Sequence, residues 1–471
     1  MALTTDEETK LRLVITAFDG AKRVSELPAG VVGTPFQLTV EVLDSDGETK
    51  QSGLATLLPY VEDQVSYGVE ITIGGTPSAL PRLGSTDLHK RLPIQARRRG
   101  CILSPAGVVV QYLDPSNWNG FALDGSLGHV MVEQPEHYEI FRYPGNNKVE
   151  ARWSEHPLPG YHYVPKTYIS AYEASINRST GALASVVNAS TTYRGGDNTP
   201  AWDGTYRSLL GRPATSLSRT AFQTAARLVN SGDTKWNALV YNAEKDMFWS
   251  YLIEYANTNC QLAFNAALDT NGYKQGGLGT GVTDWDGTWG TWNSYNPFVP
   301  CGYTNSLGNN SGEIAYDIKG TDGTTTIKTT YANRYRGVEL PYGHIWKWTV
   351  GINIEVGATE SKVWVCNNPV NYSDSGYTGY TNRGLQARAA GYISKMIIGE
   401  FGELVASEVS GGSTTGWCDY FYADTNQALR GLFSGGTATS GALAGFGCSY
   451  TLYAPSTALA DLGSRLCYIP A

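Results

Sequence analysis

The chain has 471 residues, among them 54 Gly, 30 Tyr and 12 Trp, and only 17% of it is charged. With 35 basic against 43 acidic side chains its formal net charge is −8, which argues against phosphate binding and so against a nucleic-acid partner. The Gly- and Tyr-rich composition excludes a helical bundle and points to a turn-rich, β-rich protein long enough for roughly two to four domains.

Residues 1–30 predict a short helix. Thr5 and Glu8 fit a capping box, Leu11, Val14, Ile15 and Phe18 share a face, and Gly20 and Pro28 bracket its end. Such a helix packs on the next domain or, at the head of a fibre protein, attaches it or joins identical subunits. The start carries no apolar signal region, and no run of eighteen apolar residues occurs. A protein made in this way is expected to leave its cell by lysis or on a particle.

Residues 31–90 read as a small β domain and linker. "FQLTVEVLDSDGETK" alternates and then turns at 44–47, and "YGVEITIGG" alternates again. Residues 74–100, rich in Gly, Pro and charge, read as a boundary. Their basic cluster, Lys90, Arg91, Arg97, Arg98 and Arg99, fits a solvated boundary or a contact between subunits better than a nucleic-acid site.

Residues 91–471 read as one large, loop-heavy domain, and the fold class as α+β. "GVVVQYL", "HVMVEQPEHYEIF" and "KVWVC" are strand-like. Two helices are expected. Ser218 caps 219–229, with Ala221, Phe222, Ala225 and Leu228 on one face. The other covers about 244–257, with Phe248, Leu252, Tyr255 and Ala256 as its stripe.

Little in this domain resembles catalytic machinery. The cysteines, Cys101, Cys260, Cys301, Cys366, Cys418, Cys448 and Cys467, are odd in number and form no CxxC, so buried thiols are expected. The six histidines include no HxxxH pair, and His129 and His137 read as structural. "GRPATS" (211–216) and "GGLGTG" (276–281) lack the lysine and setting of a phosphate loop. "DWDGTW" (284–289) is half a calcium loop and reads as a turn. No catalytic residue, metal or cofactor is expected, and the chain reads as a non-enzyme.

The closing stretch differs. Phe446, Cys448, Tyr450 and Leu452 recur at period two, which predicts a short strand with one apolar face between Gly445 and Ala454-Pro455. That face fits a buried core segment. Equally, Tyr among Ser and Thr fits an exposed contact surface. Pattern alone leaves both open.

"YGHIWKWTVGINI" (342–354), "LRGLFSGGTATSGALAG" (429–445) and "GSRLCYIP" (463–470) resemble the C-type-lectin fold of the formylglycine-generating type. Gly343, Trp346 and Trp348, then Arg430, Gly431, Gly435 and Gly436, then Gly463, Ser464, Arg465 and Leu466 carry that likeness. "DGSLGHVMVEQPEHY", "PKTYISAYEAS", "YRGGDNTPAWDGTYRSLLGRPATSLSRTAF", "YNPFVPCGYTNSLGN" and "NRYRGVELPYGHIWKW" resemble the framework of diversity-generating-retroelement variable proteins of gut-bacterial phages. These are tail-fibre or tail-tip receptor-binding proteins, related by fold to the major tropism determinant of another phage.

The resemblance implies a fixed frame with variable slots. Gly435, Gly436, Ala438, Gly441, Ala442, Gly445, Ala454, Pro455, Ser456, Ala458, Gly463, Ser464, Arg465 and Leu466 fit the frame. The slots, the implied ligand-binding surface, are Thr439, Ser440, Leu443, Phe446, Gly447, Cys448, Ser449, Tyr450, Thr451, Leu452, Tyr453, Thr457, Leu459, Ala460, Asp461 and Leu462. Trp417, Tyr420 and Tyr422 extend that surface or belong to the core. The implied partners are a bacterial surface receptor, either outer-membrane protein or glycan, and other phage tail proteins, with a homotrimer as the usual assembly and the virion as location. The alternatives are a cell-encoded adhesin and a cysteine oxidase of the formylglycine type. Cys418, Cys448 and Cys467 do not match the enzymes' active-site motif, so that activity is not carried over.

Overall fold

A computed structural model describes residues 39–43, 49–75, 80–195, 210–282, 299–319 and 324–470. The expected helix in 1–30 and the half calcium loop at 284–289 lie outside the described residues. The chain divides into two compact units, Met1–Val61 and Glu62–Ala471.

In the first unit, Thr39–Leu43 and Thr49–Gly53 pair as the expected antiparallel hairpin, from Thr39↔Gly53 to Leu43↔Thr49. A helix, Leu54–Val65, follows directly and extends past Val61. It was not foreseen. Leu54, Leu57, Leu58 and Val61 recur at helical spacing, but Pro59 inside the segment reads as a breaker.

The division between the two units falls at 61/62, within the segment 31–90. Strand Ser66–Thr72 pairs along its whole length with Lys148–Ser154 and, on its other side, with Arg82–Gly84. The supposed linker is therefore part of a five-stranded sheet in the larger unit. Its arginines are engaged locally. Arg91 pairs with Asp87, Arg98 is buried, and Arg99 lies 3.5 Å above the Tyr112 ring and 3.3 Å from Glu133.

A six-stranded sheet follows, with Leu466–Tyr468 between Trp236–Ala238 and Thr167–Ser170. The end of the chain is thus stitched into strands far upstream. Both helices of this unit are present. In α1 (Arg219–Arg227) the Ser218 hydroxyl accepts the Ala221 N–H at 3.1 Å, as a cap should. Its buried face is Phe222, Ala225 and Ala226, while Leu228 of the expected stripe is exposed. In α2 (Tyr241–Tyr255) burial extends round the helix rather than along one stripe, because sheets and loops enclose it. Ala256 ends it in the left-handed conformation.

The C-terminal sheet has eight strands: β1 (Trp346–Val356), β2 (Ser361–Val365), β3 (Thr381–Leu385), β4 (Gly391–Tyr392), β5 (Tyr420–Tyr422), β6 (Ala428–Ser434), β7 (Ser449–Tyr450) and β8 (Leu462–Gly463). Their order is β3-β2-β1-β6-β7-β5-β4, with β8 parallel to β1. The described protein is mostly β-sheet, with few helices and many loops. None of its described helices is long and apolar enough to cross a membrane.

Candidate functional site: a tyrosine row on a buried frame

The closing stretch is pinned from behind. Arg465 is fully buried, and its guanidinium donates to the carbonyls of Ser170, Glu339 and Leu340. Ser464 Oγ donates to the Trp348 carbonyl at 2.9 Å. Beside them, His344 Nε2 accepts the Val299 N–H at 3.1 Å, so Nδ1 carries the proton and donates to Glu173 at 2.6 Å. Burial alone would raise the Glu173 pKa. His344, Lys347 and Arg465 outweigh it and hold the carboxyl below its ordinary value.

The glycines of the frame are there for space. A Cβ on Gly445 would stand 1.9 Å from Asp419 Oδ1, and one on Gly431 would stand 2.3 Å from the Trp348 ring. Asp419 in turn accepts the Gly447 N–H at 2.7 Å and the Gln261 amide at 3.3 Å. Its carboxyl is wholly buried, and burial drives its pKa well above the usual range.

The variable slots fall into three groups. Thr439 and Tyr453 are exposed. Leu443, Gly447, Ser449, Tyr450, Leu452, Thr457, Leu459, Ala460 and Asp461 are half-buried. Ser440, Phe446, Cys448, Thr451 and Leu462 are buried, which corrects their expected outward direction. Phe446 sits among Phe248, Tyr251, Tyr335 and Tyr342, with centroids 5.2–5.8 Å away. Thr451 Oγ1 donates to the Tyr422 carbonyl, and Ser440 Oγ accepts the Thr437 N–H. Leu462 pairs with Trp346 in the sheet. Gly447 is half-buried but has no room: a Cβ there would meet Asp419 at 2.8 Å. Conversely Ala442, Ser456 and Ala458, read as frame, are exposed. The predicted strand shrinks to Ser449–Tyr450, paired antiparallel to β6 and parallel to β5.

Short β7 brings tyrosines of separate segments together. Tyr450 stacks on Tyr422 at 4.8 Å, on Tyr453 at 5.3 Å and on Phe433 at 5.4 Å. Tyr420 lies 4.5 Å from Tyr422 and 5.2 Å from Tyr392. Buried Trp346 meets Tyr422 and Tyr450 edge-on from beneath. Tyr392, Tyr420, Tyr422, Tyr450 and Tyr453 are all at least partly open to solvent. A tyrosine packed by its ring keeps a polar hydroxyl that water or a partner can meet. Tyr420 and Tyr422 therefore join this surface, whereas Trp417 is core. Tyr392 escaped the sequence reading because "GYISK" carries no local signal of its neighbours.

All seven cysteines are buried free thiols. Burial raises the pKa of each, to about 12 for Cys101, Cys418 and Cys467, so these thiols stay protonated. His129 accepts the Ser185 N–H and packs on Trp236. His137 packs at a tilt on Trp153, 4.2 Å between centroids, with its Nε2 3.9 Å from Glu139. Among the described residues no three His, Cys, Asp or Glu side chains cluster as a metal site would require.

No known family's sequence pattern matches the chain, and no curated protein matches it by sequence. Among solved structures it is similar to that of PvdO from Pseudomonas aeruginosa, at 13% identity and a TM-score of 0.31, over 73% of this chain and 95% of that one. It is also similar to the U1 and M1 variants of the Major Tropism Determinant, each at 12% identity and a TM-score of 0.25, over 79% of this chain and 71% of theirs. At these TM-scores the likeness assigns no function.

Proposed function

We propose that the chain is a non-enzymatic receptor-binding protein of a phage tail. In this reading it has the C-type-lectin fold that its motifs resemble, is carried as a trimer on the virion, and adsorbs to a bacterial surface. The contact surface is the outward part of 439–462 together with Tyr392, Tyr420 and Tyr422. A retroelement would vary the outward slots while the buried frame stays fixed.

The observation that carries the reading is the tyrosine row on its frame. Tyr gives a rigid amphipathic contact that loses little entropy on binding, and the neighbouring Ser and Thr adapt their hydrogen bonds. Behind the row, Arg465, Ser464 and Glu173 are held by distant strands, so the outer side chains can change without moving the backbone. Copies on one particle would multiply a weak contact by roughly 10²–10⁴. The alternative of a cysteine oxidase needs a reachable thiolate, and every cysteine here is buried and protonated.

The test is binding of the labelled full chain to outer membranes from a panel of gut bacteria. The reading expects binding to a subset, reduced at least about tenfold by Tyr422→Ser with Tyr453→Ser in a chain that still unfolds cooperatively. Binding to none, or binding indifferent to both substitutions, would contradict it.

A further inference from the structure

The tyrosine row is set by strand register, and much of it lies outside the variable slots. Residues opposite one another on paired strands share a face, as do alternate residues along one strand. Trp348 of β1 stands opposite Phe433 of β6, Phe433 opposite Tyr450 of β7, Tyr450 beside Tyr422 of β5, and Tyr420 of β5 opposite Tyr392 of β4. One face of the sheet therefore carries a line of rings across five strands. The line is closed at the β1 end, where Trp348 and Phe433 are buried and Trp348 Nε1 donates to the Thr457 carbonyl at 3.3 Å. From β7 to the edge strand β4 it is partly open.

The core fixes the outward direction of the last three rings. Phe421, between Tyr420 and Tyr422, is buried, and so is Ile393, next to Tyr392. Ile393 donates its N–H to the Asp419 carbonyl at 2.9 Å, which holds β4 against β5. With those two side chains inside, alternation sends the tyrosines out. Variable β7 is inserted between β6 and β5, so Tyr450 meets a ring from outside 439–462 on each side, Phe433 at 5.4 Å and Tyr422 at 4.8 Å. A substitution at 450 changes the middle of the row and leaves Tyr392, Tyr420 and Tyr422 in place. Together these three positions and the outward slots bring no basic side chain, and their one acid is Asp461.

We propose that Tyr392, Tyr420 and Tyr422 are a constant half of the contact surface and set the kind of receptor that every variant uses, a patch without anionic groups on the host surface. The inference rests on the receptor-binding reading above and narrows it: the slots choose among patches of that kind. Three adjacent tyrosines supply contact area at little entropic cost in every variant, and tyrosine is among the residues that dominate interface energies. A receptor anion, by contrast, would shed its water against these rings with no basic group to meet it.

The test displays the full chain randomised at 449, 450, 453 and 457 and selects binders on outer membranes from a panel of gut bacteria. Tyr392→Ser with Tyr420→Ser is then placed in the parent and in each selected variant. Every one is expected to lose at least about tenfold in binding. Raising NaCl from about 0.1 to about 0.5 M should change the binding of the unsubstituted chains less than about threefold. If the double variant does not unfold cooperatively, Tyr392→Lys, on an edge strand where lysine is well tolerated, takes its place with the same expectation. Selected variants that keep their affinity without the two tyrosines, or whose binding collapses in salt, would overturn the proposal and leave the receptor-binding reading standing. Binding by neither parent nor library would remove both.

Discussion

Phe446 and Tyr450 stand four residues apart in the same closing stretch and both stack with other rings, yet they face opposite ways. The partners of Phe446 come partly from α2, through Phe248 and Tyr251, and leave it 5% exposed. Those of Tyr450 come from β5 and β6 and from Tyr453, and leave the ring half open. The closing stretch therefore has an inner half that completes the core and an outer half that presents tyrosine. The change of side is made at Gly445 and Gly447, where the backbone closes on Asp419.

Substitutions can break this contrast, and the inner half should yield the largest effects. Phe446→Ala leaves a cavity amid four rings and is expected to cost about 3–5 kcal/mol in denaturant unfolding. Gly445→Ala places a methyl against Asp419 and should cost about 1–3 kcal/mol, because the neighbours on that side are buried.

Asp419→Asn sharpens the same point through pH. The Asp419 carboxyl titrates well above its unfolded value near 3.9, so the folded state favours the protonated form. Its contribution is fully present below that unfolded value and is lost as pH rises toward the folded one. The Asn variant lacks this loss. It should match or exceed the parent in melting temperature at pH 7, with the difference shrinking toward pH 4. A variant less stable at pH 7 than at pH 4, relative to the parent, would show that the carboxylate is stabilising. In the outer half, Tyr453→Ser should change stability by no more than about 0.5 kcal/mol, and under the proposed function it should weaken adsorption.

Much of the fold was legible. Alternation located the Thr39–Leu43 hairpin and the strand Ser66–Thr72, and the Ser218 cap located α1. The helix Leu54–Val65 was not, because Pro59 inside it speaks against its period. The sheet partner of Ser66–Thr72 was not legible, because it lies about eighty residues on, in Lys148–Ser154. At the site, period two marked Phe446 and Cys448 as one face with Tyr450, but the strand is only two residues long and the period says nothing beyond it. Resemblance separated frame from slot by residue type. It could not say that Thr451 turns inward to Tyr422, or that Ala442 and Ser456 lie at the surface, since these follow from contacts with other segments.

The most direct test is deep sequencing of the 3′ end of the gene in a phage population grown from one clone. The account predicts substitutions at outward positions such as 439, 449, 450, 453, 457 and 461, at adenines matched by a nearby template repeat, with Phe446, Cys448, Thr451 and Leu462 retained in the particles that adsorb. A uniform 3′ end without a repeat, or free substitution at those four buried positions, would contradict it.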